Sequence, residues 1–283
     1  MKYAVRYRKD FRHFDDVDEV IFPVRKGDES LLTLPSIVKH QYQKITLSLE
    51  TDKPLEEIIP HILELKEVHP NILVQIGWPF DPEDVQLMKD NDIPFMANLG
   101  FCKTLDMVYA MKQAGVAELY VVEGLGFRLD AVKKILADTD IQVRVFPNVT
   151  QCALGTRRVI PTEHKFWIRP EDTKFYEKYV DTFELYNEDD KLSAIYEIYT
   201  KQVWQGKISE IIMDAEDLEV QNDTMPPYFG DVRMNCGQRC FFGSCAACEA
   251  NIDFAKAMSQ TEYGINYARK LATKGNANED KTD

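Results

Sequence analysis

Four of the six cysteines in this chain of 283 residues, Cys236, Cys240, Cys245 and Cys248, share one short window spaced C-x3-C-x4-C-x2-C. Thiolates crowded this closely repel one another, so they sit together around a cation, around an iron–sulfur core, or as disulfides. Gly237 and Gly243 suit a loop that folds back on a central ion, where positive φ is often required. The spacing predicts a four-thiolate metal site. Zinc and a [4Fe-4S] cluster both accept such a donor set. Structural zinc generally joins two short pairs arriving from distant parts of a chain, whereas only four residues separate these pairs. A compact loop wraps a cube of iron and sulfur more readily than it closes on one ion, and Phe241 and Phe242 would shield the cube from water. A [4Fe-4S] cluster is therefore the expected cofactor, with zinc as the alternative. A redox-active pair at Cys245-x-x-Cys248 is a further option, without the strand-to-helix setting that such a motif uses.

The residues around this window are those of a soluble globular protein, 45% hydrophobic and 29% charged, in a length that suits one large domain or two small ones. A net charge of −13 makes the whole-molecule field repel nucleic acid. Lys2, Arg6, Arg8 and Lys9, and the pair Arg157-Arg158, are small basic clusters that an RNA contact would need; otherwise they read as solvated strand-edge charge. No apolar run approaches the roughly 20 residues of a membrane span, and nothing reads as a signal peptide. The expectation is a cytoplasmic protein with no membrane contact, where clustered cysteines are more often metal ligands than disulfides.

Positioning such a site falls to a regular alternation of strands and helices. Residues 2–8 alternate apolar and charged as a half-exposed strand does, and 20–24 form a second. From Lys44 onward, apolar strands at 45–49, 72–76, 94–98, 118–122, 141–146, 165–168 and 182–185 are followed by turns and, mostly, amphipathic helices. Helices are expected at 55–68, from Asp81-Pro82-Glu83 onward, at 104–113 ending on Gly115, at 129–137, from Pro170 to 179, and at 191–203. The helix after 141–146 is poorly marked. Seven such units imply a parallel sheet with helices outside it and predict an α/β fold, a closed or nearly closed (β/α) barrel. An open doubly wound parallel sheet is the alternative. Residues 1–43 would add N-terminal strands to a barrel body at 44–213. The cysteine-rich metal-binding segment and a helix at 251–273 would occupy 214–273, with a disordered tail at 274–283.

Chemistry in parallel α/β folds gathers at the C-terminal ends of strands. Those positions read Glu50, Gln75, Trp78, Asn98, Cys102, Glu123, Asn148, Gln151, Arg169 and Glu184, an assortment that predicts a polar pocket at the barrel mouth. Glu123, Arg169 and Glu184 suit proton handling or anion binding and are the candidate catalytic residues. Trp78, Asn98, Asn148 and Gln151 are the candidate substrate-binding residues. Taken singly, each could equally cap a helix or pair across the mouth. Cys102 and Cys152 are either small buried hydrophobes or neighbours of the metal. No His-Glu-x-x-His, Gly-x-Ser-x-Gly or Walker-type loop is present. Gly124-Leu-Gly126 lacks the third glycine of a dinucleotide fingerprint, no histidines pair at helical spacing, and the radical S-adenosylmethionine spacing C-x3-C-x2-C is not met.

Residues 115–210 resemble the peptidase U32 family. The likeness rests on Gly115-Val-Ala-Glu-Leu-Tyr-Val-Val-Glu-Gly-Leu-Gly126, on Val145-Phe-Pro-Asn-Val-Thr-Gln151, and on Trp167-Ile-Arg-Pro-Glu-Asp172 with Phe183-Glu-Leu-Tyr186. The resemblance implies a (β/α) barrel and a four-iron cluster held by four cysteines, as in several members. It also implies an activity among those found in the family: hydroxylation of RNA bases or of a quinone precursor, or proteolysis. The family signature places Glu-x-Phe, a small-residue step and cysteines after a barrel strand. Here Glu184-Leu-Tyr186 is followed by Asn187-Glu-Asp189 with no cysteine, and the four candidate ligands lie together near the end of the chain. The step Cys236-x3-Cys240 is similar to a ligand pair of quinone-pathway members. The expectation is a U32-like iron–sulfur protein performing redox modification, of hydroxylation type, on an RNA base or small aromatic substrate. A partner protein or a homo-oligomer is further implied by related cluster proteins. The alternatives are a non-catalytic binding module with a structural zinc site and a U32-type peptidase.

Overall fold

A computed structural model describes residues 1–25, 42–98, 102, 104–121, 129–149, 167–187, 190–213, 219–227, 229–230 and 246–261. Glu123, Gln151, Cys236, Cys240 and Cys245 lie outside the described residues, as do Cys152 and the tail at 274–283; of Cys248 only the backbone is described. The chain divides into two compact units, Met1–Phe146 with Glu177–Ser193, and Pro147–Tyr176 with Ala194–Asp283.

All eight described strands belong to the first unit: β1 (Lys2–Arg6), β2 (Glu19–Arg25), β3 (Ile45–Glu50), β4 (Ile72–Ile76), β5 (Phe95–Ala97), β6 (Glu118–Tyr120), β7 (Gln142–Val145) and β8 (Thr182–Leu185). They are parallel and run in the order β5-β4-β3-β2-β1-β8-β7-β6. The two ends of that order meet. Ala117 N donates to Phe95 O at 2.8 Å and Cys102 N donates to Tyr120 O at 2.8 Å, while Cys102 bridges Val121 in parallel. The result is a nearly closed, TIM-like (β/α) barrel. An open doubly wound sheet would leave both edges unpaired, so that alternative does not hold.

Helices α1 (Leu55–Val68), α2 (Pro82–Asp90), α3 (Leu105–Ala114) and α4 (Leu129–Leu136) connect the strands. In α1, Leu55, Ile58, Ile59, Ile62 and Leu65 recur at helical spacing and are buried. Asp81 caps α2 by accepting from Glu83 N at 2.9 Å, and Thr104 caps α3 by accepting from Met107 N at 3.3 Å. Gly115 ends α3 at φ 76°, a left-handed conformation that glycine adopts without strain.

The second unit holds a 3-10 turn at Pro170–Asp172, α5 (Thr173–Tyr176), most of α6 (Leu192–Lys201), 3-10 turns at Ile208–Glu210 and Asn222–Thr224, and α7 (Ala246–Ser259). The strand expected at 165–168 is absent from its described part. Trp167 and Ile168 carry no strand pairing, and Ile168 N donates instead to Pro147 O at 2.8 Å. Trp167 serves a core of the second unit, packing with Ile208, Ile211, Ile212, Val220, Met225, Phe229, Ile252 and Ala255. A short apolar run cannot by itself tell a strand from a core-filling loop. The helix expected to reach residue 179 stops at Tyr176, and the last helix begins at Ala246 rather than at residue 251. Thr224 Oγ1 donates to Ala255 O at 3.1 Å and Gln221 N to Ser259 Oγ at 3.0 Å, which ties α7 into this unit. Among the described residues, no helix is long and apolar enough to cross a membrane.

Candidate functional site

Side chains alternate across a strand, and register partners in neighbouring strands share a face. The pairings Ala4↔Glu19, Ala4↔Glu184, Thr182↔Arg144, Arg144↔Tyr120, Ser48↔Gln75 and Arg25↔Glu50 therefore place these residues on one face of the sheet, the barrel interior. Bulky branched apolar residues ordinarily fill that space. Here much of it is polar: Glu19, Thr46, Ser48, Gln75, Glu118, Arg144 and Glu184 are all buried.

Arg144 sits at the centre. Its Nη2 donates to Glu19 Oε1 and Oε2 at 2.6 and 2.7 Å and to Glu118 Oε2 at 2.6 Å. Its Nε donates to Glu118 Oε2 at 3.0 Å, and its Nη1 to Glu184 Oε2 at 3.2 Å. Lys44 pairs with Glu19 Oε2 at 3.1 Å and also with Glu118 Oε1. Thr46 Oγ1 donates to Glu19 Oε1 at 2.5 Å, and Tyr120 Oη to Glu184 Oε2 at 2.5 Å. Gln75 Nε2 donates to Tyr120 Oη at 2.8 Å. Burial raises the Glu19 carboxyl, but Arg144, Lys44 and the hydrogen bonds outweigh it and hold the group at about 2, below its ordinary 4.5. The Tyr120 phenol is pushed well above its usual range by burial and by Glu184. The Arg144 guanidinium is raised because its carboxylates outweigh the opposing effect of burial.

The network runs on to the C-terminal mouth. Arg6 Nε lies 3.5 Å from Glu184 Oε1, Arg6 Nη1 donates to Glu50 Oε1 at 3.3 Å, and Arg25 Nε donates to Glu50 Oε2 at 3.3 Å. Phe146, partly exposed, stacks on Tyr120 with ring centroids 5.2 Å apart and planes at 10°. Asn98 Nδ2 donates to Leu49 O at 3.5 Å. Trp78 packs edge-on against Phe80 at 4.9 Å, and Phe80 against Phe95 at 5.6 Å, a residue of the outer face. At the opposite end of the barrel a cavity of about 430 Å³ opens among Lys44, Asn71, Lys112, Glu118, Asp140 and Gln142. There Lys44 is held by Glu19 and Glu118, and Lys112 by Ile135 O and Asp138. Conserving stability is the usual role of that end in this architecture, so the mouth is the better candidate.

Arg169 and Asn148 belong to the second unit. Arg169 makes a forked pair with Asp172, Nε to Oδ2 at 2.7 Å and Nη2 to Oδ1 at 2.9 Å, and Nη2 also donates to Pro226 O at 3.2 Å. It stands at the start of the 3-10 turn, not at a strand end. Gly230 permits the close approach, since a Cβ there would lie 2.5 Å from Asp172 Cγ. Beside this pair, Glu171 Oε1 accepts from Trp204 N at 2.8 Å and from Asn222 Nδ2 at 2.7 Å. Burial, reinforced by Glu171 and opposed by Arg169, pushes the Asp223 carboxyl from its ordinary 3.8 up to about 6. The buried Asn148 passes its carbonyl to Met213 N at 2.8 Å.

Of the residues expected at the mouth, Glu184, Gln75 and Glu50 are joined to this network, while Trp78 and Asn98 sit separately after β4 and β5. Arg144, Glu19, Glu118, Lys44 and Tyr120 were not anticipated. Their signal was polar residues at every second position of otherwise apolar strands, as in Glu118-x-Tyr120, Gln142-x-Arg144 and Thr182-x-Glu184. Cys102 is buried, and burial pushes its thiol up to about 12, so it is protonated and inert at neutral pH.

Among the described residues, no group of three or more His, Cys, Asp or Glu side chains is arranged to hold a metal ion. Cys248 is the third residue of α7. The donor set of four thiolates fits a [4Fe-4S] cluster, and equally fits zinc.

No family model matches the chain, and no curated protein matches it. Among solved structures it is similar to one described as "Native KDPGal structure", at 15% identity and a TM-score of 0.38, over 66% of this chain and 94% of that one. It is also similar to a cube-shaped, highly porous protein cage designed by fusing symmetric oligomeric domains, at 15% identity and a TM-score of 0.37, over 66% of this chain and 72% of that one. Neither likeness bears on activity; the barrel rests on its own strand order and closure.

Two pH dependences follow, with opposite signs. The folded-state pKa of Glu19 lies below its ordinary value, so its contribution is present above 4.5 and is lost as the pH falls through about 2. Urea titrations from pH 5 to 2 will show a shallower acid loss of stability in Glu19→Gln than in the parent chain. Asp223 is raised, so its contribution is present below 3.8 and is lost as the pH rises through about 6. Asp223→Asn will accordingly gain stability over the parent above pH 6 and little below pH 4, read by thermal melts across that range.

Proposed function

We propose that this chain is a U32-like iron–sulfur protein that carries out redox modification, of hydroxylation type, on a small aromatic substrate or an RNA base bound at the barrel mouth. The observation that carries the reading is the four-thiolate window Cys236, Cys240, Cys245 and Cys248, running into the first turn of a helix that is anchored in a folded core. When bound, a [4Fe-4S] centre supplies one-electron transfer. The barrel's own residues supply binding and orientation. Phe146, partly exposed and stacked on Tyr120, adds aromatic surface at the mouth suited to a planar substrate. Arg6, steadied by Glu50 and Glu184, presents a cation at the mouth. Burial opposes that charge, but Glu184, Tyr120 and Glu50 outweigh it and raise the Arg6 pKa, so the cation persists at any working pH.

Protein purified without oxygen will contain about four iron and four acid-labile sulfide per chain. The Cys236→Ser/Cys248→Ser chain will lose both and the visible absorbance with them. One zinc per chain with no sulfide in the parent protein would instead identify a structural zinc site.

A further inference from the structure

Three buried polar atoms of the barrel interior make no hydrogen bond: Ser48 Oγ, Gln75 Oε1 and Glu184 Oε1. They are not scattered. Ser48 and Gln75 are register partners on β3 and β4, and the Gln75 amide and Glu184 carboxylate meet at the Tyr120 hydroxyl, which accepts from the first and donates to the second. Glu184 Oε1 lies 3.5 Å from Arg6 Nε without hydrogen-bonding geometry. Leaving a buried acceptor unsatisfied costs about 1–3 kcal/mol, so two together ask for a donor.

The chain leaves room for one. Gly77 follows Gln75 by two positions at the end of β4, and a Cβ built there would meet nothing within 4 Å. The space is open, and Gly77 is exposed. Two positions beyond Gln75, the same face of β4 therefore carries no side chain and is open at the C-terminal end of the strand.

Charge narrows the ligand. The carboxylates of Glu19, Glu118 and Glu184 already face the cations of Arg144, Lys44 and Arg6. What these acceptors lack is therefore hydrogen-bond donors and not charge. A carboxylate ligand would face acceptors, and a cationic one would upset a balanced set. We propose that Gln75 and Glu184, with Ser48 beside them, form a subsite for a neutral ligand that carries N–H donors on a planar conjugated group, the primary carboxamide being the simplest case. Gln75 Oε1 and Glu184 Oε1 accept from its N–H groups. The inference rests on the mouth being the ligand-binding end, and it is independent of what the cysteines hold.

Benzamide, benzoate and N,N-dimethylbenzamide separate the possibilities, because they share a ring and differ in donor and charge. In ligand-observed NMR titrations of the full chain, benzamide will bind saturably and at least about tenfold more tightly than the other two, the effect of one well-made buried hydrogen bond. Gln75→Leu will weaken benzamide by about tenfold and leave the other two unchanged. Equal binding of all three probes, binding of none, or unchanged benzamide affinity in a folded Gln75→Leu chain would overturn the proposal. Should Gln75→Leu not fold, the comparison of probes on the parent chain decides alone. The same titration on Cys236→Ser/Cys248→Ser will keep the preference for benzamide, so donor selectivity and cluster content are read separately.

Discussion

A guanidinium with no access to water, shared among three carboxylates, is the constraint on which the barrel depends. Arg144 reaches Glu19, Glu118 and Glu184 from β7, and those residues come from β2, β6 and β8. Taking such ions out of water costs several kcal/mol each, and the cost is offset only where geometry and hydrogen bonding are nearly complete. Glu19 meets that condition, with two bonds from Arg144, one from Thr46 and the Lys44 ammonium. Glu184 meets it incompletely, with one oxygen hydrogen-bonded twice and the other held only by the ion pair with Arg6 at 3.5 Å. An apolar core tolerates many rearrangements of similar energy, whereas this cluster has few ways to satisfy itself. It fixes the mutual register of strands that meet far from one another in sequence.

Much of the barrel was legible because its signal is local. Period-two strands, capped helices and a left-handed glycine at the end of α3 each announce themselves within a dozen residues, and their regular alternation implies the parallel sheet. Closure was expected from the number of units, but the contacts that make it, Cys102 and Ala117 meeting the opposite edge, lie beyond any local window. The second unit was misread for a related reason. Trp167 and Ile168 look like a strand, yet the partners of Trp167, among them Ile208 and Ala255, lie beyond any local window.

The site was legible in part. Glu184 stood out as a carboxylate at a strand's end, but nothing nearby indicated that it is committed to Arg144 and Tyr120. Glu19 and Arg144 are 125 positions apart, and only the closed barrel brings them together. The alternation of Gln142-x-Arg144 and Glu118-x-Tyr120 does carry the inward face in plain view, once strand polarity is read as barrel interior rather than as solvent exposure. Arg169 is expected at the mouth because it follows apolar residues; it pairs with Asp172 in the 3-10 turn of the second unit. The four thiolates are a different kind of signal, contiguous and readable without a fold.

Ion pairing in the barrel interior is measured most directly by a double-mutant cycle on Arg144→Met and Glu19→Gln, followed by urea unfolding at neutral pH. If the two groups form one unit, the double variant will lose less than the sum of the single losses, with a coupling of about 2 kcal/mol or more. Losses that add to within about 0.5 kcal/mol would show that the two side chains act independently, and the interior network would then not be what organises the barrel.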